Sequence, residues 1–348
     1  MNDRLLSRTP ENETHILKSW RWLLVFGLLA CVGAALVIPF PLEGRLWGEL
    51  FDLAHAPVFF LGLLACVGFL DPSAIGLPDR FAALVRMTGD RILLMSFVLA
   101  AVGGLGEYLQ RFVGRSSSWS DVAANTIGLT AAVCWIAARS VRGVWGSMLK
   151  LAAVVLLIAV SIRPMLEAWD CVQQRNSFPL LASFERTREP HSWIQRSATM
   201  ERSQEWSSAG QWSARIQLPP SKWPGVAMAW FERDWRGFHE LTLDMHNPND
   251  EPLDVVVKIF DRQHAETGFE TQDRFHHIVT LAPGLTQHVR IDLAEVENAP
   301  VGRRMNMEEI WLLEFFCAKT PARERVLFLD NIRLASNGNQ QNATDHSR

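Results

Sequence analysis

The sequence is short of cysteine, of net charge and of every compact catalytic signature, and each shortage removes a class of function. Five cysteines in 348 residues are too few to scaffold a disulfide-built domain. Cys31, Cys66 and Cys134 fall inside apolar runs, where a thiol acts as a small hydrophobe. Cys171 and Cys317 are the only pair left for a bridge, which their geometry must decide. A formal net charge of −3 lacks the basic footprint that nucleic-acid binding needs, so no nucleic-acid partner is expected. There is no Gly-rich phosphate loop in strand-to-helix context, no nucleophile elbow and no convincing serine or cysteine catalytic set. His246, His264, His276, His277 and His288 match no zinc spacing; adjacent strand residues such as His276 and His277 point to opposite faces, so surface or half-buried histidines are expected. The partners left are a membrane, an envelope polymer or another protein.

What the chain does have is long apolar runs, all in its first half. The mean hydropathy of +0.04 averages a very apolar segment with an ordinary polar one, which implies two domains in two solvents. Uncharged runs at 22–40, 56–70, 92–106, 122–138 and 151–162 predict about five membrane helices, since a span takes about 20 mostly apolar residues. Leu28 to Cys31 resembles a lipoprotein cleavage box, but the run continues past the cysteine. The same heptapeptide, Gly-Leu-Leu-Ala-Cys-Val-Gly, recurs at 62–68, so the first helix is read as uncleaved. Basic residues alternate between loops: Arg4, Arg8, Lys18 and Arg21, then Arg80, Arg86 and Arg91, then Arg139, Arg142 and Lys150 on one side, against Arg45, Arg111 and Arg115 on the other. That asymmetry predicts a cytoplasmic N-terminus and, with five crossings, an extracytoplasmic second half. Were the run at 151–162 not to cross, that half would face the cytoplasm.

The second and third runs are shorter than the hydrocarbon core, so their polar ends must dip into it. Asp52 and His55 stand at i,i+3; Glu107, Gln110 and Arg111 at i, i+3, i+4; Asp121, Asn125 and Gly128 at i, i+4, i+7. All three ends fall on the same, outer side. Ionisable groups at that depth need pairing or water, so they are expected to face the bundle interior as a satisfied network or as a ligand or catalytic site, with loop-end charges of no further role as the remaining reading. Ser118-x-x-Asp121 also reads as a helix capping box. Phe51-Asp52-Leu53-Ala54-His55-Ala56, Gly106-Glu107-Tyr108-Leu109-Gln110-Arg111-Phe112 with Arg115, and Ser120-Asp121-Val122-Ala123-Ala124-Asn125-Thr126-Ile127-Gly128 together resemble the successive motifs of the VanZ-like family. The likeness covers about the first 145 residues and departs from the family at Leu53, where a lysine is often found. It implies a multi-helix protein of the cell envelope, linked by family name to glycopeptide-antibiotic response, with no settled activity.

After Arg163 and Pro164 the apolar runs stop. We read a cytoplasmic segment 1–21, a helical membrane domain 22–163, a linker 164–178, a β-sandwich or jelly roll at 179–336 and a disordered tail 337–348. Alternating or β-rich segments at 211–218, 226–231, 240–246, 253–260, 275–281, 287–293, 310–316 and 326–334, punctuated by Asn247-Pro248-Asn249-Asp250 and Ala282-Pro283-Gly284, predict the strands. Leu181-Ala182-Ser183-Phe184-Glu185, Asp234-Trp235-Arg236-Gly237-Phe238 and Leu327-Phe328-Leu329-Asp330-Asn331-Ile332-Arg333-Leu334 resemble a galactose-binding-like jelly roll of the carbohydrate-binding-module type. That resemblance implies a structural calcium with Glu185 and Asp330 as ligands; no other cofactor is expected. Trp193, Trp206, Trp212, Trp223, Trp230 and Trp235 are numerous for one domain. Most are expected in the core, with Trp223, Trp230 and Trp235 the candidates for sugar stacking. Three functions fit: a binding or anchoring protein for a cell-wall glycan, an enzyme acting on a lipid-linked precursor through His55 and Glu107 with Arg111 or Arg115 on a phosphate, or an assembly protein holding another protein.

Overall fold

The computed structural model describes Gly27, residues 44–76, Ala83, residues 85–113 and residues 118–336. The N-terminal segment, all of the first span but Gly27, Arg115 and the tail at 337–348 lie outside the described residues. The chain divides into two compact units, Met1–Ala168 and Trp169–Arg348.

The first unit holds α1 (Arg45–Leu70), a one-turn α2 (Pro72–Ile75), α3 (Gly89–Gln110), α4 (Trp119–Ala137) and most of α5 (Val144–Ser177). Four of these, all but α2, are long and apolar enough to cross a membrane. They begin earlier than the uncharged runs because a helix does not stop at its first polar residue; Asp52 and His55 sit well inside α1. Leu61, Leu94, Phe97, Val155 and Ile158 stay exposed on these helices, a surface that lipid accepts and water does not. The segment read as a linker is helical: α5 continues through Pro164 to Ser177. Its 34 residues reach about 51 Å at 1.5 Å per residue, well beyond a hydrocarbon core of about 30 Å. Arg45 at the start of α1 pairs with Glu167 on α5.

Helices α1, α3 and α4 pack around Phe59, Leu63, Leu99, Leu129 and Ala132. Two glycines make the approach possible. A Cβ at Gly128 would lie 2.2 Å from the Ala56 carbonyl oxygen, and one at Gly103 would lie 2.7 Å from the Phe59 ring. Small residues at such crossings are how lipid-embedded helices gain packing when no hydrophobic effect separates helix from lipid.

The second unit is an antiparallel β-sandwich. One sheet runs β3 (Thr199–Ser203), β4 (Ser213–Leu218), β11 (Arg325–Ala335), β6 (Glu240–His246), β9 (Thr286–Asp292), with β1 (Leu180–Ala182) also paired to β11. The other runs β2 (Trp193–Arg196), β5 (Gly225–Met228), β10 (Ile310–Cys317), β7 (Leu253–Asp261), β8 (Phe275–Leu281). Inward side chains at period two, such as Leu241, Leu243 and Met245 against Val255, Val257 and Ile259, form the core between the sheets. The eight strands expected from alternation are all present; β1, β2 and β3 are three to five residues long and offer too few turns of the pattern to be read. A short α6 (Leu293–Asn298), capped by Asp292, follows β9. Cys171 and Cys317 are both free thiols, so the bridge weighed from sequence does not form. Burial among apolar neighbours pushes the Cys317 thiol up to about 11, which leaves it inert.

Candidate functional site

The polar residues of the membrane half do converge. The His55 Nδ1 atom on α1 lies 2.9 Å from Asn125 Oδ1 on α4 and 4.0 Å from Glu107 Oε1 on α3, while Gln110 Nε2 donates to Glu107 Oε1 at 3.4 Å. His55, Glu107, Gln110, Asp121 and Asn125 are all buried. Asp52, His55 and Asp121 bring their ligand-type atoms within 4.8 Å of one another. Ser118 caps α4 by accepting from the Ser120 N–H at 3.1 Å, and Arg111 lies 5.9 Å over the Tyr108 ring. The cluster therefore ties α1 to α4 through a hydrogen bond and brings Glu107 of α3 within ion-pair distance of His55, while Glu107 Oε2 and Asn125 Nδ2 are buried with no hydrogen-bond partner among the described residues.

In the β-domain, Glu185 and Asp330 hold a loop. Glu185 Oε1 accepts the Gln211 and Trp212 N–H groups at 2.7 and 2.9 Å. Asp330 Oδ2 accepts from Ser208 N and Ala209 N at 2.8 and 3.0 Å, and its Oδ1 from Asn331 N at 2.7 Å. The left-handed Asn331, φ 55°, makes the bulge that turns Asp330 toward this loop. Burial raises the Asp330 carboxyl above its usual range despite these donors. Beside it, burial alone would raise Asp244, but hydrogen bonds from Ser208, His288 and Asn331 outweigh it and hold that carboxyl low. Carboxylate oxygens facing amide hydrogens fit a loop clamp; calcium needs a sphere of oxygens free of such donors. Asp330→Asn is expected to cost about 1–3 kcal/mol, because either orientation of the amide sets an NH₂ against a backbone N–H. Thermal unfolding of the full chain checks this. The same measurement should be unmoved by calcium, whereas a ligand that binds the folded state alone would raise the midpoint.

The tryptophans separate into roles. Trp235 is fully buried, with its indole N–H donated to the Glu232 carbonyl at 3.1 Å; it is a core residue, contrary to its reading as a sugar contact. A fused ring of that size with one satisfied polar atom is what a sandwich core accommodates. Trp193 is also core, Trp206 stacks on His246 at 5.2 Å and Trp212 lies under Arg202 at 4.1 Å. Trp230 is 39% exposed and offers its carbonyl to Gln174. Trp223 is 56% exposed and lines a cleft of about 350 Å³ together with Arg196, Ser197, Lys222, Lys258, Arg274, Glu314 and Phe316. Of the histidines, His264 departs from expectation: it is wholly buried, 3.2 Å from Asp273.

The cleft stands on the outward residues of β10 and β7 and is walled by the turns after β2 and before β5. Glu314 and Lys258 are cross-strand partners in register and pair at 2.9 Å, and Arg196 reaches the other Glu314 oxygen at 3.1 Å. Ser197 and Trp223 both hold left-handed backbone, at φ 50° and 52°. For a residue with a Cβ that conformation costs about 1–2 kcal/mol, and strain of this kind gathers at functional sites. Ser221 Oγ donates to the Ser197 carbonyl at 3.4 Å, joining the two turns. A Cβ at Gly225 would lie 2.2 Å from the Phe315 carbonyl oxygen, so only glycine lets β5 run this close to β10. Of these residues the sequence had flagged Trp223 alone. The available signal for the others was the single charge of an otherwise apolar β10, Glu314, and the one cation of β7, Lys258, each of which calls for a cross-strand partner.

The architecture is that of a chain with membrane-length helices followed by an antiparallel β-sandwich. Among solved structures it is similar to an exo-β-agarase, at 13% identity and TM-score 0.36 over 45% of this chain and 25% of that one. It is also similar to a family 11 carbohydrate-binding module from Clostridium thermocellum in complex with a β-1,3-1,4-mixed-linked tetrasaccharide, at 12% identity and TM-score 0.34 over 45% of this chain and 94% of that one. A third is a xylan-binding domain of the CBM22 type from Paenibacillus barcinonensis, at 14% identity and TM-score 0.32 over 44% of this chain and 92% of that one. The chain thus spans a quarter of the agarase's length. No protein-family model matches it, and no curated protein does; the VanZ-like resemblance rests on the motifs alone.

Proposed function

We propose that this is a membrane-anchored glycan-binding protein whose ligand lies in the Trp223 cleft. The observation that carries the reading is an exposed tryptophan held in strained backbone at the rim of that cleft. More than half of that side chain is exposed, with Lys222 over one face of the ring, which leaves apolar ring surface on which a sugar can stack, and strained backbone of this kind gathers at functional sites. The cleft volume falls within the range of about 300–1,000 Å³ found for ligand sites. The helical half, in this reading, is a VanZ-like domain of a bacterial cytoplasmic membrane, with its N-terminus cytoplasmic and the β-domain outside against the cell-wall glycan. The cluster of His55, Glu107, Gln110 and Asn125 serves as the network that fixes α1, α3 and α4, which the His55–Asn125 hydrogen bond and the approach of Glu107 to His55 support more directly than a catalytic role.

The test uses the full chain in detergent micelles, titrated with solubilised cell-wall glycans and with a panel of plant and algal polysaccharides. Trp223→Ala should weaken binding about tenfold or more, the loss typical of an aromatic hot spot, and Trp230→Ala should leave it unchanged. Absence of binding to every glycan, or equal binding by the Trp223 variant, overturns the reading.

A further inference from the structure

The cleft carries more positive charge than its own carboxylate neutralises. Arg196, Lys222, Lys258 and Arg274 line it, against Glu314. Each Glu314 oxygen is taken by one cation, Oε1 by Arg196 and Oε2 by Lys258. Lys222 and Arg274 then make no ion pair among the described residues, and Arg274 shares the charge of a Glu314 whose oxygens are already taken. Lys222 lies over the Trp223 ring at 4.3 Å, beside the surface on which a sugar would stack. The Arg274 Nε atom is buried and has no hydrogen-bond partner among the described residues. That nitrogen has lost water without replacement in a side chain that is otherwise half-buried, and burial pulls the proton affinity of the group down; an anion in the cleft would supply further acceptors and the missing charge. A neutral sugar hydroxyl supplies only the first.

Resting on the glycan reading above, we propose that the cleft selects acidic glycans, chains whose sugar units carry a carboxylate or a sulfate ester, with the anion on Arg274 and Lys222 and the ring face on Trp223. Arginine is suited to this because its planar fork meets a carboxylate or sulfate through two parallel N–H donors. Lys222 adds an exposed charge at the rim, where it assists capture of a polyanion as it arrives. Lys258 and Arg196, already paired to Glu314, serve as the fixed floor.

The experiment titrates the full chain, in an uncharged detergent, with hexagalacturonate, a sulfated hexasaccharide and neutral cellohexaose, at low and at high salt. Either acidic probe should bind about tenfold or more tightly than the neutral one, the margin a charged hydrogen bond provides. That margin should shrink with salt, and the ratio should fall to about one in Lys222→Gln/Arg274→Gln. A preference for the carboxylated over the sulfated probe identifies a uronate as the unit recognised, and the reverse identifies a sulfate ester. Thermal unfolding checks that the double variant is folded, and the salt dependence of the unaltered chain tests the idea without any variant. Equal or tighter binding of the neutral probe, or a preference that survives the double substitution, overturns acid selectivity and leaves the glycan reading standing. Binding of none of the three, nor of any polysaccharide in the wider panel, removes both. Binding of a short single-stranded oligonucleotide as tight as that of the acidic probes also overturns it, because charge alone would then explain the cleft.

Discussion

Arg303→Met should cost the β-domain about 3–5 kcal/mol, the loss expected when one partner of a buried ion pair is removed and the other is left behind. Arg303 donates to both oxygens of Asp261, at 2.6 and 2.9 Å, and to both oxygens of Asp273. Asp261 is wholly buried and also accepts the Asn306 N–H at 2.7 Å; Asp273 is nearly so and is shared with His264 and Thr267. One guanidinium thus ties the end of β7, the segment before β8 and the approach to β10 into a single knot. Hydrogen bonding to Arg303 is the largest influence on Asp273 and holds its carboxyl far below the ordinary range, and the same pairing raises Arg303. The sign of the pH dependence follows. An acid whose folded pKa is depressed contributes stability that is complete above its unfolded value, about 3.9, and that is lost as pH falls toward the folded value. The gap between the unaltered chain and Arg303→Met should therefore be full at neutral pH and narrow below about pH 4. Denaturant unfolding followed by tryptophan fluorescence across that range measures it. A gap that stays constant as pH falls would mean that lost packing, and not the ion pairs, accounts for the change.

Gly128→Leu in α4 should abolish the folded helical unit or leave it only partly assembled. Its Cβ would sit 2.2 Å from the Ala56 carbonyl oxygen and 3.0 Å from the Ala56 Cα, both backbone atoms that no rotamer change can move aside. Separating α1 from α4 to admit the side chain would also part His55 from Asn125, which meet at 2.9 Å one turn away. The loss would combine overpacking, typically about 1–3 kcal/mol, with exposure of polar groups to lipid. Gly62→Leu in α1 is the control, since a Cβ there meets nothing within 4 Å. Size-exclusion profiles and detergent unfolding temperatures should separate the two variants, with the Gly62 change close to the unaltered chain. Equal stability of both would show that α1 and α4 do not pack through Gly128.

Strands β6, β7, β8 and β10 were legible because each runs for seven or more residues of alternating or β-rich composition, as in Leu241, Leu243 and Met245 or Leu253, Val255, Val257 and Ile259, although β6, β7 and β10 are largely buried on both faces. The helices were legible because an uncharged run of that length has few alternatives in a folded chain. Their ends were less so: α1 begins at Arg45 and carries Asp52 and His55 on its way in, since a polar residue does not end a helix whose neighbours can satisfy it. The linker was misread for a related reason. Pro164 and the charges after Arg163 suggested a break, yet α5 runs to Ser177 because the segment around Leu166, Glu167, Ala168 and Trp169 has nothing else to prevent helix.

The motif spacings Asp52/His55, Glu107/Gln110 and Asp121/Asn125 fixed which residues share a helix face, because 3.6 residues per turn is a property of the backbone alone. That these faces meet at His55, Glu107 and Asn125 is a fact of helix packing, set by Gly103 and Gly128 and visible only when the helices are together. The same division holds in the β-domain. Composition supplied the tryptophans and local pattern the strands, whereas the fates of Trp235 in the core and Trp223 at the cleft were decided by where each turn falls in the sandwich. The cleft itself gathers residues from β2, β7 and β10 and from the segments just after β2 and just before β5 and β8, tens of residues apart in sequence. Local periodicity records which way a side chain points from its own strand; only the pairing of distant strands determines what stands beside it.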